Sequence, residues 1–401
     1  MKWLKGQKAE HMLLKGFCIF MLLFPAFYSP YTDVYQSAYY GGFSWAYLCL
    51  VLYIGIQLLH RRVVRWRSWF PYLAILIAYN LLSIYFNYKY LHWYWEQINN
   101  TIAFLFFMVL VSGKIEPEEG KRDIIRFLLH CIVLSNLASM IYFLMGYTKL
   151  LLCNNQFVFF ELPGNFYETR HYWLYSHKSE YALMLVAFTA LFVCFREKFM
   201  NWITYTASIL VLLVCLYLTH SWTGIAGVFL IFLGAFIDKI EFRRFQWKKQ
   251  YLLVGLILLL AAGGFGYKLF SERNIMSLGA RPQIWTAVLG AIRHHPEGWG
   301  MRFGESAIQV SESLLVNNGH NIFLNAMLRF SVPVGICFSI LFLSVAVYSV
   351  AKARSFLAAG MWAALLILLN MDYALMSLQM ALLFFVVYLV CFYKRKVQHV
   401  E

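Results

Sequence analysis

Apolar residues arrive in continuous runs along this chain. They recur at about Met12–Tyr28, Phe43–Leu59, Trp69–Phe86, Asn100–Val111, Ile124–Leu144, Tyr181–Phe195, Trp202–Leu218, Ile225–Ile237, Tyr251–Phe270, Ile322–Val350, Phe356–Leu369 and Leu375–Tyr393. A helix rises about 1.5 Å per residue, so about 20 such residues cover a hydrocarbon core about 30 Å thick. A transmembrane barrel needs alternation instead, and continuous runs exclude it. The pattern predicts an all-α polytopic membrane protein with about twelve transmembrane helices. The tenth run is too long for one simple span. Pro333 and Gly335 are expected to break or kink it, because proline removes a backbone donor.

Composition agrees with this reading. The 401 residues are 61% hydrophobic and 13% charged, against about 25% charged in a soluble domain. No polar stretch is long enough to stand as a soluble domain, so residues 1–401 are expected to form a single integral membrane domain. The net charge of +15 would raise nucleic-acid binding in a soluble protein, but no basic stripe with a fold of its own is present. Lys and Arg collect instead at the N-terminus and near residues 61–67, 114–126, 196–198, 239–249, 352–354 and 394–396, alternating with poor ends. The positive-inside rule then puts both termini in the cytoplasm. Lys2, Lys5, Lys8 and Lys15 lead into an apolar run without a small-residue cleavage site, as in an uncleaved first span.

This topology makes two loops external, 146–179 and 271–320, out of reach of cytosolic nucleotide sugars and ATP. The eight cysteines fall mostly inside apolar runs, where they act as small hydrophobes. The external turn after the first run holds only Asp33 as an acidic residue, and Asp372, at the last external turn, is isolated. Hard cations need several oxygen ligands, so neither a metal nor any other cofactor is expected.

The second loop holds the densest candidate chemistry. Ile284, Trp285, Val288, Leu289 and Ile292 recur at helical spacing after Pro282, which suits a first helical turn. The run is short, so its apolar side is expected to lie in lipid, with Arg281 near the headgroups. A guanidinium there can anchor phospholipid or chelate a pyrophosphate. His295-Pro296-Glu297-Gly298-Trp299-Gly300 reads as a tight turn, with Arg293, His294, His295 and Arg302 in supporting places. Asn317-Asn318-Gly319-His320-Asn321 precedes the tenth run, so His320 lies at the outer membrane boundary. A neutral imidazole at that place can cap a helix or take a proton from a sugar hydroxyl. His220 and Trp222 occupy a very short external turn, and Arg170, His171, His177 and Lys178 form a further external cationic group.

Arg281 with Trp285, then Pro296-x-Gly298-x-Gly300, then His320-Asn321 with Pro333 and Gly335, resembles the O-antigen ligase/polymerase superfamily over about residues 205–340. The resemblance implies a GT-C-like, metal-independent inverting glycosyltransferase of the bacterial cytoplasmic membrane. Its donor would be an undecaprenyl-pyrophosphate-linked glycan, and its acceptor a lipid-linked repeat unit or lipid A–core. Partners would be these glycans and the lipid bilayer, with a chain-length regulator admitted. The family's loop arginine falls on Arg281 and its loop histidine on His320. Substrate-binding places fall to His220, Arg170, Lys178, Arg293, Arg302 and Asn321. One position departs from the family: Trp222 stands where a second arginine is frequent, so His220 or a cation such as Arg170, Lys178 or Arg273 must substitute. The rival class is a lipid-linked oligosaccharide flippase. That class predicts cations inside the spans, whereas here they stay mostly at loop ends.

Overall fold

The computed structural model describes residues 2–29, 33, 42–60, 94–112, 118–162, 170–239, 280–299, 308–312, 314–316, 318–371 and 379–393. The third and ninth apolar runs, about 69–86 and 251–270, lie outside the described residues. Over their described residues the other runs coincide with helix, although the first ends in a short strand and the second begins in one. Gly120–Leu144, Trp222–Lys239 and Val332–Ala353 are each long and apolar enough to cross a bilayer, and shorter apolar helices accompany them. The chain is therefore mostly helical and has the makings of a membrane protein. It departs from the all-α expectation, because a four-stranded sheet and a two-stranded hairpin interrupt the helices.

The chain divides into two compact units, Met1–Ile225 with Ala374–Glu401, and Ala226–Tyr373. The first contains α1 (Lys2–Leu22), β1 (Ala26–Tyr28), β2 (Phe43–Ser44), α2 (Trp45–Leu59), α3 (Tyr94–Ser112) and α4 (Glu118–Leu144). It continues with β3 (Tyr147–Cys153), β4 (Gln156–Glu161), α5 (Lys178–Phe199) and α6 (Trp202–Leu218), and closes with α12 (Met380–Tyr388), extended by a π-helical turn Leu389–Tyr393. α5 is buried continuously from Ser179 to Phe192, and α12 from Met380 to Val387. Helices apolar on every side belong inside a bundle. Phe17, Phe106 and Phe385 meet among α1, α3 and α12 at ring separations of 5.5 to 6.0 Å.

The sheet has the order β2-β1-β3-β4. β1 follows α1, β2 leads into α2 and β3 follows α4, so the sheet lies at the helix ends opposite the lysines of α1. β1 runs antiparallel to β2 and parallel to β3, and β3 pairs antiparallel with β4. Asn154 and Asn155 make the β3–β4 turn with φ of 50° and 64°. Both central residues at positive φ suit a two-residue hairpin, and asparagine tolerates that region better than most residues.

The second unit contains most of α7 (Trp222–Lys239), then α8 (Arg281–His294), β5 (Ile308–Ser311), β6 (Leu314–Val316), α9 (Ile322–Phe330), α10 (Val332–Ala353) and α11 (Phe356–Met371). Asp238 accepts from the amides of Phe356 and Leu357 at 2.7 and 3.0 Å, capping α11 from a neighbouring helix. The break in the tenth run comes at Ser331, with φ of 103°, two residues before Pro333. A helix commonly ends at or before the residue preceding proline.

Candidate functional site

The predicted helix at Arg281 is present as α8, with Pro282 in its first turn and Ala280 before it at φ 63°. Its apolar stripe is placed otherwise than expected. Ile284, Val288 and Ile292 are buried against Ile308 of the hairpin and Leu328 of α9, with Trp299 and Leu324 packed around them. The stripe is covered by protein, since a second helix and a hairpin offer closer-packed contact than lipid chains. Leu289, on the other side, is exposed. Residues 281–330 thus include a small helix–hairpin–helix fold with its own core.

Arg281 starts this fold and is half-buried. Its Nε donates to the carbonyl oxygen of Met371 at 2.8 Å, at the C-terminal end of α11. A helix C-terminus carries partial negative charge, which suits a guanidinium.

His320 sits in a turn leading into α9, with φ of 45°. Three asparagines hold that turn. Asn318 Oδ1 accepts from the His320 amide at 2.9 Å. Asn325 Oδ1 accepts from the Gly319 amide at 2.7 Å. Asn321 Oδ1 accepts from the amides of Phe323 and Leu324, both at 3.0 Å, and so caps α9. A Cβ on Gly319 would lie 3.3 Å from Val288 Cγ1, so the turn rests directly on α8. Val288 is seven residues beyond Arg281, about 10 Å along the helix. Arg281 and His320 are therefore carried by elements that pack on one core.

Arg293 lies at the far end of α8, exposed, and about 18 Å along the axis from Arg281. The structure does not bring the two together on that helix. His295 pairs with Glu297 at 3.1 Å. The following turn docks through Trp299 N–H to Leu328 O at 2.8 Å, while Pro296 O accepts from Val332 N–H at 3.0 Å. That turn holds the α9–α10 junction. Arg302 lies outside the described residues.

Two buried polar residues of α9 escaped the sequence reading. Asn325 is fully buried and Arg329 is 4% exposed. They are four residues apart, hence on one helix face, the same face that carries the amide contact to Gly319. A polar pair at that spacing within an otherwise apolar helix was the available signal.

In the first unit, His220 forms the turn between α6 and α7, with φ of 53°, and stacks on Tyr217 at 6.0 Å. Thr219 Oγ1 donates to Leu216 O at 2.7 Å, and Ser221 Oγ accepts from Gly224 N–H at 3.2 Å, closing the turn at both ends. Partial burial and then the positive fields of Arg170 and Lys178 depress the His220 pKa. The structure thus gathers His220, Arg170 and Lys178 into one cationic neighbourhood, although 42 residues separate Lys178 from His220 in sequence. Tertiary hydrogen bonds make the link. His171 N–H donates to Leu218 O at 3.1 Å, and Thr148 O accepts from the amides of Tyr172 and Trp173 at 3.0 and 2.9 Å. Beneath it, the His171 ring is fully buried, with Nε2 2.6 Å from Ser139 Oγ. Ser139 Oγ lies 2.8 Å from Tyr181 Oη, which donates to Asn136 Oδ1 at 2.7 Å. Burial holds the His171 pKa down at about 4, against contacts to Thr148 and Ser139 that raise it. The imidazole is neutral at pH 7. Lys149, also buried, reaches Ser176 O at 3.2 Å and is pushed down to about 8 by desolvation, opposed by the charge of Glu180.

No curated protein matches the chain. A family model described as O-antigen ligase matches residues 207–339. The matched span runs from within α6 to within α10. It includes His220, Arg281, Arg293, Arg302, His320 and Asn321, and leaves out Arg170 and Lys178. The match covers about a third of the chain and supports its likeness to the O-antigen ligase/polymerase superfamily over those residues.

Proposed function

We propose that this protein transfers a glycan from undecaprenyl pyrophosphate to an acceptor sugar on the external face of the bacterial cytoplasmic membrane. It polymerises surface-polysaccharide repeat units, or ligates them to lipid A–core by the same donor chemistry. An acceptor hydroxyl attacks the anomeric carbon and its proton passes to His320. The bond from that carbon to the pyrophosphate oxygen breaks, and the configuration inverts. The polyprenyl pyrophosphate leaves with its added charge met by Arg281. Fixed cations suit such a leaving group because they need no reorganisation as charge develops. Arg170 and Lys178, beside His220, supply the positive field that the family draws from an arginine at the position of Trp222. No metal takes part in this scheme.

The observation that carries the reading is that one family match covers both Arg281 and His320, and that α8 and the His320 turn share a core. Complementation tests it, in a strain lacking the native protein. Arg281→Ala and His320→Ala are each expected to abolish long-chain glycan while immunoblots show normal amounts in the membrane. Normal chain length in both variants refutes the proposed roles.

A further inference from the structure

The β3–β4 hairpin is apolar on both faces. Val158 and Phe160 turn inward onto Phe27, Leu151 and Cys153. Phe157 and Phe159, on the opposite face, are each 57% exposed. A strand with one face in water carries polar residues on that face, so two exposed phenylalanines side by side need another solvent. The hairpin is also fixed in place. Its Asn154 side chain exchanges hydrogen bonds with the backbone of Ser29 at 3.0 and 3.1 Å, and Tyr28 Oη donates to Asn155 Oδ1 at 2.9 Å.

The exposed rings form a continuous series with the helix ends beside the sheet. Phe159 lies 6.5 Å from Tyr142 of α4 and 6.2 Å from Phe157. Phe157 lies 6.4 Å from Phe24, Phe20 joins Phe24 to Trp45 at 6.5 and 6.4 Å, and Trp45 lies 6.0 Å from Tyr28. Phe24, Tyr28 and Trp45 are themselves 39–44% exposed. Below this band, α4 presents Leu134, Leu137, Ile141 and Leu144 as one exposed stripe at helical spacing, from 40% to 82% exposed. α4 contains one of the three segments among the described residues that are long and apolar enough to cross a bilayer, which makes that stripe its lipid face. The hairpin's lysine, Lys149, is folded inward, only 6% exposed. Aromatic rings above an aliphatic stripe are the arrangement expected at a membrane–water boundary.

We propose that the β3–β4 hairpin is seated in the lipid headgroup–acyl boundary of the leaflet opposite the α1 lysines, with Phe157 and Phe159 inserted beside Phe24 and Trp45. β4 is an edge strand, and an open sheet edge is not tolerated in hydrocarbon. The strand backbone therefore stays at the hydrated headgroup level while the rings reach down. Segment 146–161 is then a membrane-surface anchor and not a loop in free solution. The inference rests on the membrane reading and not on the proposed catalytic residues.

The test is depth measurement on the full chain in phospholipid nanodiscs. Cys337, the exposed native cysteine, is replaced by serine. Nitroxide labels are placed at Phe157→Cys, Phe159→Cys and, as a lipid reference, Leu134→Cys. At 157 and 159 oxygen is expected to collide with the label more than a water-soluble nickel chelate does, at a depth shallower than at 134. Chelate access at both hairpin positions overturns the proposal, as water then covers the rings. Shielding from both reagents, or dipolar broadening between copies, also overturns it, since protein then covers the hairpin. If the cysteine variants express poorly, the emission that Phe159→Trp adds over the 13 native tryptophans is read by difference from the unsubstituted chain: its quenching by brominated phospholipids supports the proposal, and its resistance to them overturns it.

Discussion

Gly319→Ala probes whether the His320 turn is fixed by contact with α8. The added Cβ would stand 3.3 Å from both Val288 Cγ1 and Asn325 Oδ1, and 3.4 Å from Val288 Cγ2. Such contacts are a few tenths of an ångström too close. The turn cannot simply retreat, because the Gly319 amide is bound to Asn325 at 2.7 Å and the His320 amide to Asn318 at 2.9 Å. Overpacking of this kind costs about 1–3 kcal/mol, and the strain falls on the residue next in sequence, His320. A displacement of about 1 Å in a reacting group lowers rate on the order of 100-fold. Val288→Ala removes both offending methyls, at about 0.8 kcal/mol for each buried carbon lost. The two substitutions should therefore couple favourably, by about 0.5–3 kcal/mol. The assay is long-chain glycan output normalised to protein in the membrane. Gly319→Ala is expected to lose most activity at near-normal abundance, and the double variant to recover at least about fivefold over it, roughly 1 kcal/mol. Native activity in Gly319→Ala, or a double variant in which the two losses merely multiply, refutes the contact as the cause.

Two further outcomes separate structural from chemical roles. Asn321→Ala removes the cap of α9 and is expected to cost about 1 kcal/mol, read as a lower unfolding temperature in detergent. Asn321→Asp should keep the cap, and equal loss from both variants would show that the side chain does more than cap. His171 is neutral and buried, with its pKa held at about 4 against 6.5 for a free imidazole. Between those values the unfolded chain binds more protons than the folded one, so stability falls as pH drops from 6.5 to 4. The full loss is roughly 3 kcal/mol at about 1.4 kcal/mol per pH step. His171→Phe should flatten that part of a melting-temperature profile, and an unchanged slope would assign the acid sensitivity to other groups.

Much of the helical framework was legible because a single property, apolar run length, controls it. The bounds of α6 match the expected run from Trp202 to Leu218. The discontinuity in the tenth run followed from Pro333, although the chain breaks two residues earlier. Helical spacing after Arg281 likewise predicted α8. It could not name the partner of the buried stripe, because lipid and a protein core reward the same pattern. The β3–β4 hairpin was missed although Asn154-Asn155 is a turn signal. Its flanking strands are apolar on both faces, so the alternation that marks a half-buried strand is absent.

Sequence alone determined the class of molecule, the order of the described helices, and the candidate residues for the proposed glycan transfer, because these depend on local composition and spacing. Only tertiary structure decided which of those residues meet. It set the His320 turn on the α8 helix that begins at Arg281, and left Arg293 at the other end. It also joined Arg170 and Lys178 to His220 through backbone pairing between distant segments. Such pairings depend on long-range packing and leave no periodic trace along the chain.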